Sequence, residues 1–178
     1  MQPLQNVNIW IENPKYIDHY ISLGFDFKKV CTVKSTQHGN EWYYVDIDED
    51  ILYSKHRSWV YVLTRFNRIL KIGETGNPLG IRSSKGGSQP LRGSHNRLGR
   101  YRRGDKSDQT VRESYRNETQ DEYGLEFYAV KCQEIDISMP KLSKKPIKAQ
   151  IHKQLEKFLL DYYKEKVGVY PPSNTGRY

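Results

Sequence analysis

The stretch from Thr75 to Gly104 constrains this chain more than any other part of it. It holds no acidic residue, seven cations (Arg82, Lys85, Arg92, Arg97, Arg100, Arg102 and Arg103) and seven glycines. Glycine loses the most backbone freedom on ordering, and a block of like charges repels itself without a counter-charge. Such a segment buries little apolar surface. It is expected to be a long basic loop with short helical pieces, one of them over Pro78–Ser84. The core must then come from the flanks. Hydrophobic residues are 36% of the 178, a low share for a globular chain. The 14 Tyr and 3 Trp offset part of that deficit, because aromatic rings bury large areas.

The flanks carry clear periodicities. Tyr16, Ile17, Tyr20 and Ile21 after Asn13-Pro14 predict a short amphipathic helix, closed at Gly24. Phe25–Val33 and Trp42–Val45 read as strands around a turn at His38-Gly39-Asn40. Trp59–Thr64 and Ile69–Ile72 predict a β-hairpin closed by Gly73, and Leu125–Lys131 a further strand. Pro140 to Pro146 is a Lys-rich connector. A long helix is expected over Ile147–Lys166, with Ile151, Leu155, Phe158, Leu159 and Tyr162 on one face and Gly168 after its end. Glu156 then stands about 120° from the apolar stripe, facing solvent.

Together these elements predict an α+β fold: a small central sheet, made of the hairpin and a third strand, flanked by helices. The expected division is an N-terminal accessory region over 1–57, for DNA contact or dimerisation, and a domain over 58–178 carrying a basic insertion at about 83–122.

The formal net charge is +8 and the pI about 9.3, which favours a polyanionic partner, nucleic acid first. No apolar run approaches a membrane span. The first residues lack a secretory pattern, so the expected compartment is cytoplasmic. Cys31 and Cys132 make neither a disulfide framework nor, with the five histidines, a zinc spacing. Asp46, Asp48, Glu49 and Asp50 lack the glycine and distant glutamate of a calcium loop and read as a solvated turn.

Taken in order, these residues resemble the GIY-YIG nuclease superfamily. Val60-Tyr61-Val62 stands where the family has its first strand tripeptide, and Lys71-Ile72-Gly73 where it has the second. Lys71 departs from the family name and resembles a restriction-endonuclease branch with Lys there. Arg82 follows at the spacing of the family's arginine, with Arg97 and Arg100 as rivals if the insertion comes first. Glu156-Lys157-Phe158-Leu159-Leu160 fits the glutamate-bearing helix, with Gln150 the weaker alternative. The resemblance covers about Trp59 to Pro171 and leaves residues 1–57 outside.

The resemblance implies a phosphodiester-hydrolysing DNA endonuclease. Tyr61 would be the general base, its phenolate favoured by Lys71 if both side chains share a face. Arg82 would clamp the phosphate with a planar guanidinium. Glu156 would hold one divalent ion, Mg²⁺ or Mn²⁺. Glu74, His152, Arg97 and Arg100 are candidates for support. Lys85, Arg92, Arg97, Arg100, Arg102 and Arg103 are expected to contact double-stranded DNA, and a homodimer is one simple way to cut both strands. Taken singly, each of these residues has an ordinary reading as sheet packing or solvated charge. The rival functions are a non-catalytic nucleic-acid-binding module and an RNase.

Overall fold

The computed structural model describes residues 10–36, 41–103, 106–138 and 146–174. In chain order its elements are α1 (Ile17–Ser22), β1 (Lys28–Ser35), β2 (Trp42–Val45), α2 (Glu49–Leu52), β3 (Trp59–Arg65), β4 (Arg68–Thr75), α3 (Arg97–Arg103), α4 (Lys106–Ser114), α5 (Arg116–Gln120), β5 (Leu125–Lys131), β6 (Ile135–Ile137), β7 (Ile147–Ala149) and α6 (Ile151–Val167), with a 3₁₀ turn at Pro172–Asn174. The fold is α+β. Five strands form one antiparallel sheet in the order β2-β1-β5-β3-β4, and β6 and β7 pair separately.

β3 is buried at every position from Trp59 to Thr64, so its continuous apolar run reflects cover on both sides of the sheet. On one face Cys31, Val33, Tyr61, Leu63, Phe127 and Ala129 pack with Trp42, Tyr44, Leu52, Leu79, Leu98 and Tyr101. On the other, Val60, Val62, Ile69, Ile72 and Val130 pack with Ile17, Tyr20, Leu159, Leu160 and Tyr163. β4 lies at the sheet edge. There Asn174 accepts a hydrogen bond from the Ile72 N–H (2.9 Å) and donates one to its carbonyl (2.8 Å), which blunts an otherwise open edge.

The structure departs from the sequence expectations in several places. First, the sheet is not limited to a hairpin and a third strand. β1 and β2, from within residues 1–57, belong to it, and β1 pairs directly with β5. The α1 helix starts only at Ile17, because Tyr16 bridges to Arg68 and the Ile17 N–H donates to the Asn67 carbonyl at 2.9 Å.

Second, the basic segment is not an uncored loop. Leu79, Leu98 and Tyr101 are fully buried. Its helical piece lies at Arg97–Arg103, whereas Pro78–Ser84 is irregular. The segment is held by backbone bonds such as Leu98 N–H to the Leu79 carbonyl and Gly80 N–H to the Leu52 carbonyl, both 2.9 Å.

Third, Ile147–Ala149 is strand, and the helix begins at Ile151. Fourth, the buried stripe of α6 is His152, Glu156, Leu159, Leu160 and Tyr163. That is the expected stripe advanced by one residue, a rotation of about 100°. Phe158 is left 56% exposed and Glu156 is buried. The acidic run is not a bare turn either: Asp48 caps α2, accepting from the Ile51 N–H at 3.1 Å. The His38-Gly39-Asn40 turn and the Lys-rich connector up to residue 145 lie outside the described residues.

Candidate functional site

Tyr61 sits mid-strand in β3, and the residue directly across on β4 is Gly73. A Cβ on Gly73 would lie 2.9 Å from Tyr61 Cε1 and nearer still to Cζ and the hydroxyl. The ring therefore leans across the glycine toward the sheet edge, and only a residue without a side chain admits it. It stacks on Phe127 (5.1 Å between centroids) and meets Tyr101 edge-on (6.4 Å).

α3 presents Arg97 to these rings. Its guanidinium lies 5.1 Å from the Tyr61 centroid and 4.1 Å from that of Tyr101, and donates to Asp108 Oδ1 at 2.7 Å. Both members of that ion pair are buried, and Arg97 Nε makes no hydrogen bond. Gly99 lets the loop at Leu91 fold against α3, since a side chain there would strike the Leu91 carbonyl. Leu98 and Tyr101, three apart in the sequence, are the signal for this docked helix. They are outweighed in the sequence by the surrounding glycines and arginines.

Burial raises the Tyr61 phenol pKa well above its usual value near 10, with Arg97 opposing in part. The phenol is protonated at neutral pH, so the expected phenolate is not what the site holds. Lys71 is not directly across from Tyr61, because its partner is Leu63. Directly paired residues share a face, so Lys71 does project from the face that carries Tyr61 and Leu63, and it is buried.

A cleft of about 470 Å³ opens at the end of the sheet where β3 begins and β4 ends. Arg97 and Arg100 of α3 form one wall, and His152 and Lys153 at the start of α6 another. The β6–β7 hairpin adds Asp136 and Lys148, and Glu74 and Gly76 extend β4 into the cleft. His152 Nδ1 is hydrogen-bonded to Ser58 Oγ at 3.0 Å, and its Nε2 is 3.4 Å from Glu74 Oε2. Burial lowers the His152 pKa against the pull of Glu74, so the ring is uncharged at neutral pH. Ser58, buried in front of β3, belongs to this chain of contacts, and nothing in its sequence setting marks it.

The candidate residues therefore divide. Glu74, His152, Arg97 and Arg100 line one cleft, and Tyr61 lies behind Arg97. Glu156 is one turn along α6 from His152, on the helix that covers the face opposite Tyr61. Arg82, the first-choice clamp, stands apart from the cleft lining. It is exposed, bonded to Glu49 at 2.8 Å and stacked over Tyr53 at 4.3 Å. Of the expected DNA contacts, Lys85, Arg92 and Arg103 are exposed. Arg102 is half-buried, donating to the Pro90 carbonyl and to Glu41.

Among the described residues, no three His, Cys, Asp or Glu side chains gather to cage a metal. The donors present fit only a hard ion held by one or two carboxylates and completed by water and substrate oxygens. Among the described residues, no helix is long and apolar enough to cross a membrane.

No family model and no curated protein matches the chain, but solved structures do. Restriction endonuclease HPY188I in complex with product DNA matches at 16% identity and a TM-score of 0.52, with 98% of each chain covered. A mutant of bacteriophage T4 EndoII matches at 15% identity and a TM-score of 0.55, over 86% of this chain and 95% of the other. At such identities the likeness is one of fold. With the first of them it spans 98% of the chain, so nearly all of residues 1–57 fall within it.

Proposed function

We propose that this chain is a DNA endonuclease of GIY-YIG type that hydrolyses phosphodiester bonds in the cleft between α3 and α6. The observation that carries this reading is Arg97. A guanidinium wedged between two tyrosine rings and fixed by Asp108, on the wall of a cleft rich in cations, is a preorganised phosphate grip. Both structural neighbours are nucleases, and one is bound to product DNA. Arg97 takes the clamping role expected of Arg82, and Arg100 extends it. Tyr61, protonated and buried, holds Arg97 in place, and Lys71 lies buried on the same face of the sheet. Glu74, which lines the cleft, would hold a divalent ion, Mg²⁺ or Mn²⁺, and Glu156, buried one turn behind His152 and outside the lining, is the second candidate carboxylate. Such an ion neutralises phosphate charge and acidifies water when bound. Lys148, Lys153 and the exposed cations of the basic segment would follow the backbone of double-stranded DNA, and a homodimer would bring two such clefts to the two strands. The fold neighbours suggest a restriction or phage role.

Nicking of supercoiled plasmid in Mg²⁺ or Mn²⁺ tests the reading. Wild type should nick, and Arg97→Ala and Glu156→Ala should not. Tight, salt-sensitive binding with no nicking in either metal would leave a non-catalytic binding module. Preferred cutting of a matched RNA duplex would make the chain an RNase.

A further inference from the structure

At the opposite end of β3 from the cleft, about 20 Å away at the usual rise per residue, two aromatic rings stand in solvent. Phe66 of the β3–β4 turn is 57% exposed and Tyr123 of the α5–β5 loop is 62% exposed. Their centroids are 5.3 Å apart and their planes meet at 64°, so they form an open corner. The corner borders a second cavity of about 280 Å³, also lined by Lys29, Lys34, Asp46 and Glu122.

The backbone around this corner is strained. Among the described residues only three non-glycines have a left-handed φ: Asp46 (51°), Phe66 (49°) and Asn67 (63°). Two of them line this cavity and the third adjoins it. Asp and Asn tolerate that region, but for a bulky ring it is a true outlier, and strain of this kind collects at functional sites.

The corner is also rigid. Arg65 bonds both carboxylate oxygens of Asp121 and lies 4.7 Å from the Phe66 centroid. Lys34 donates to the Asp121 and Glu122 carbonyls. Two turns from different parts of the chain are thus clamped together under two exposed rings.

We propose that this corner takes a single unpaired nucleobase, as a second nucleic-acid contact remote from the cleft. The proposal rests on the nucleic-acid reading above. Bases stack on exposed aromatic rings whatever their identity. The cavity's charges nearly balance, Lys29 and Lys34 against Asp46, Glu122 and Glu126. That lining exerts no strong net pull on a free phosphate or a free cation. It suits a neutral planar ring whose edge offers amino groups to Asp46 and Glu122.

The test is binding of the full chain, with EDTA present, to two labelled duplexes. One is fully paired and the other carries one bulged 2-aminopurine. Wild type should bind the bulged duplex about tenfold more tightly and quench its fluorescence. Phe66→Gly and Tyr123→Ala should each abolish that preference and leave paired-duplex affinity unchanged. Phe66→Gly should also keep or raise the melting temperature, because glycine accepts the left-handed turn, so a lost preference is not a folding defect. No preference in wild type, or a preference that survives both variants, overturns the proposal. Preferential binding of an arginine-rich peptide at the corner, without base preference, overturns it as well. The nuclease reading is decided separately, by plasmid nicking.

Discussion

Gly73→Ala is the sharpest probe of how Tyr61 is placed. The backbone at Gly73 is not in the positive-φ region, so alanine is conformationally allowed. By itself that exchange should help slightly, by restricting the unfolded chain. The cost is steric: the new methyl would fall 2.9 Å from Tyr61 Cε1 and nearer to Cζ and the hydroxyl. The ring has nowhere to go, with Phe127 stacked on it, Tyr101 at its edge and Arg97 5.1 Å from its centroid. Overpacking of this kind costs about 1–3 kcal/mol, and the fixed neighbours put this case at the upper end. At about 2–4 °C per kcal/mol for a domain of this size, the melt should fall by about 6–12 °C. Urea denaturation supplies the free energies. The decisive measurement is a double-mutant cycle with Tyr61→Leu, whose side chain stops short of Cε1. In that background Gly73→Ala should be neutral or mildly stabilising, giving a coupling energy of at least about 1.5 kcal/mol. Equal destabilisation in both backgrounds, or a loss below about 0.5 kcal/mol in the wild type, would refute the placement of the ring over Gly73. On the functional reading, the single variant should also nick plasmid more slowly well below its melt, because the displaced ring pushes on Arg97.

Arg97→Met should destabilise by about 3–5 kcal/mol, since among the described residues it leaves the buried Asp108 carboxylate with only the longer Arg100 contact at 3.8 Å. Arg82→Ala, at an exposed pair, should change neither the melt nor nicking, and loss of nicking there would restore Arg82 as the clamp. Tyr61→Phe separates two roles by single-turnover rates. A ring that only wedges Arg97 in place predicts a few-fold change, whereas a general base predicts a loss of about 10²–10⁴. Asp121 is held at a pKa of about 2, chiefly by the hydrogen bond from Arg65, with N–H bonds from Gly124 and Tyr123 outlasting a small burial penalty. Its contribution to stability is therefore present above the ordinary carboxylate value of 3.8 and lost as pH falls through about 2. Asp121→Asn should lower the melt at pH 7 and flatten the acid limb across that window, and an unchanged limb would count against the Arg65–Asp121 clamp.

The hairpin strands and their neighbour β5 are legible because β-branched and aromatic runs have few alternatives. Trp59–Thr64, Ile69–Ile72 and Leu125–Lys131 all lie within observed strands. The rest depended on tertiary context. Composition marks Thr75–Gly104 as a loop, yet Leu79, Leu98 and Tyr101 suffice to dock it, because each fills a site on the sheet. The apolar pattern of α6 misplaces its phase because the buried stripe includes two polar residues, His152 and Glu156. An apolar count necessarily slides one position to avoid them, and His152 is held inward by Ser58. The short strands at Ile135–Ile137 and Ile147–Ala149 carry too few residues for any periodicity to register.

The same contrast bears on which arginine matters. Spacing after Gly73 selects Arg82, because a motif is read along the chain. Desolvation selects Arg97. An exposed guanidinium paired with Glu49 is screened by water and free to leave its partner. One wedged between rings and fixed to Asp108 is already oriented before any phosphate arrives, and it gives up little further freedom on binding. On the proposed reading, Tyr61 acts through the arginine it packs against. A phenol made less acidic by burial is poorly suited to taking a proton at neutral pH, but it is well suited to presenting a flat, dry face to a cation. Gly73 completes this arrangement by leaving the space across which the ring lies. The first tripeptide, the glycine of the second and the α3 helix within the basic segment thus pack as one unit around the Arg97 guanidinium.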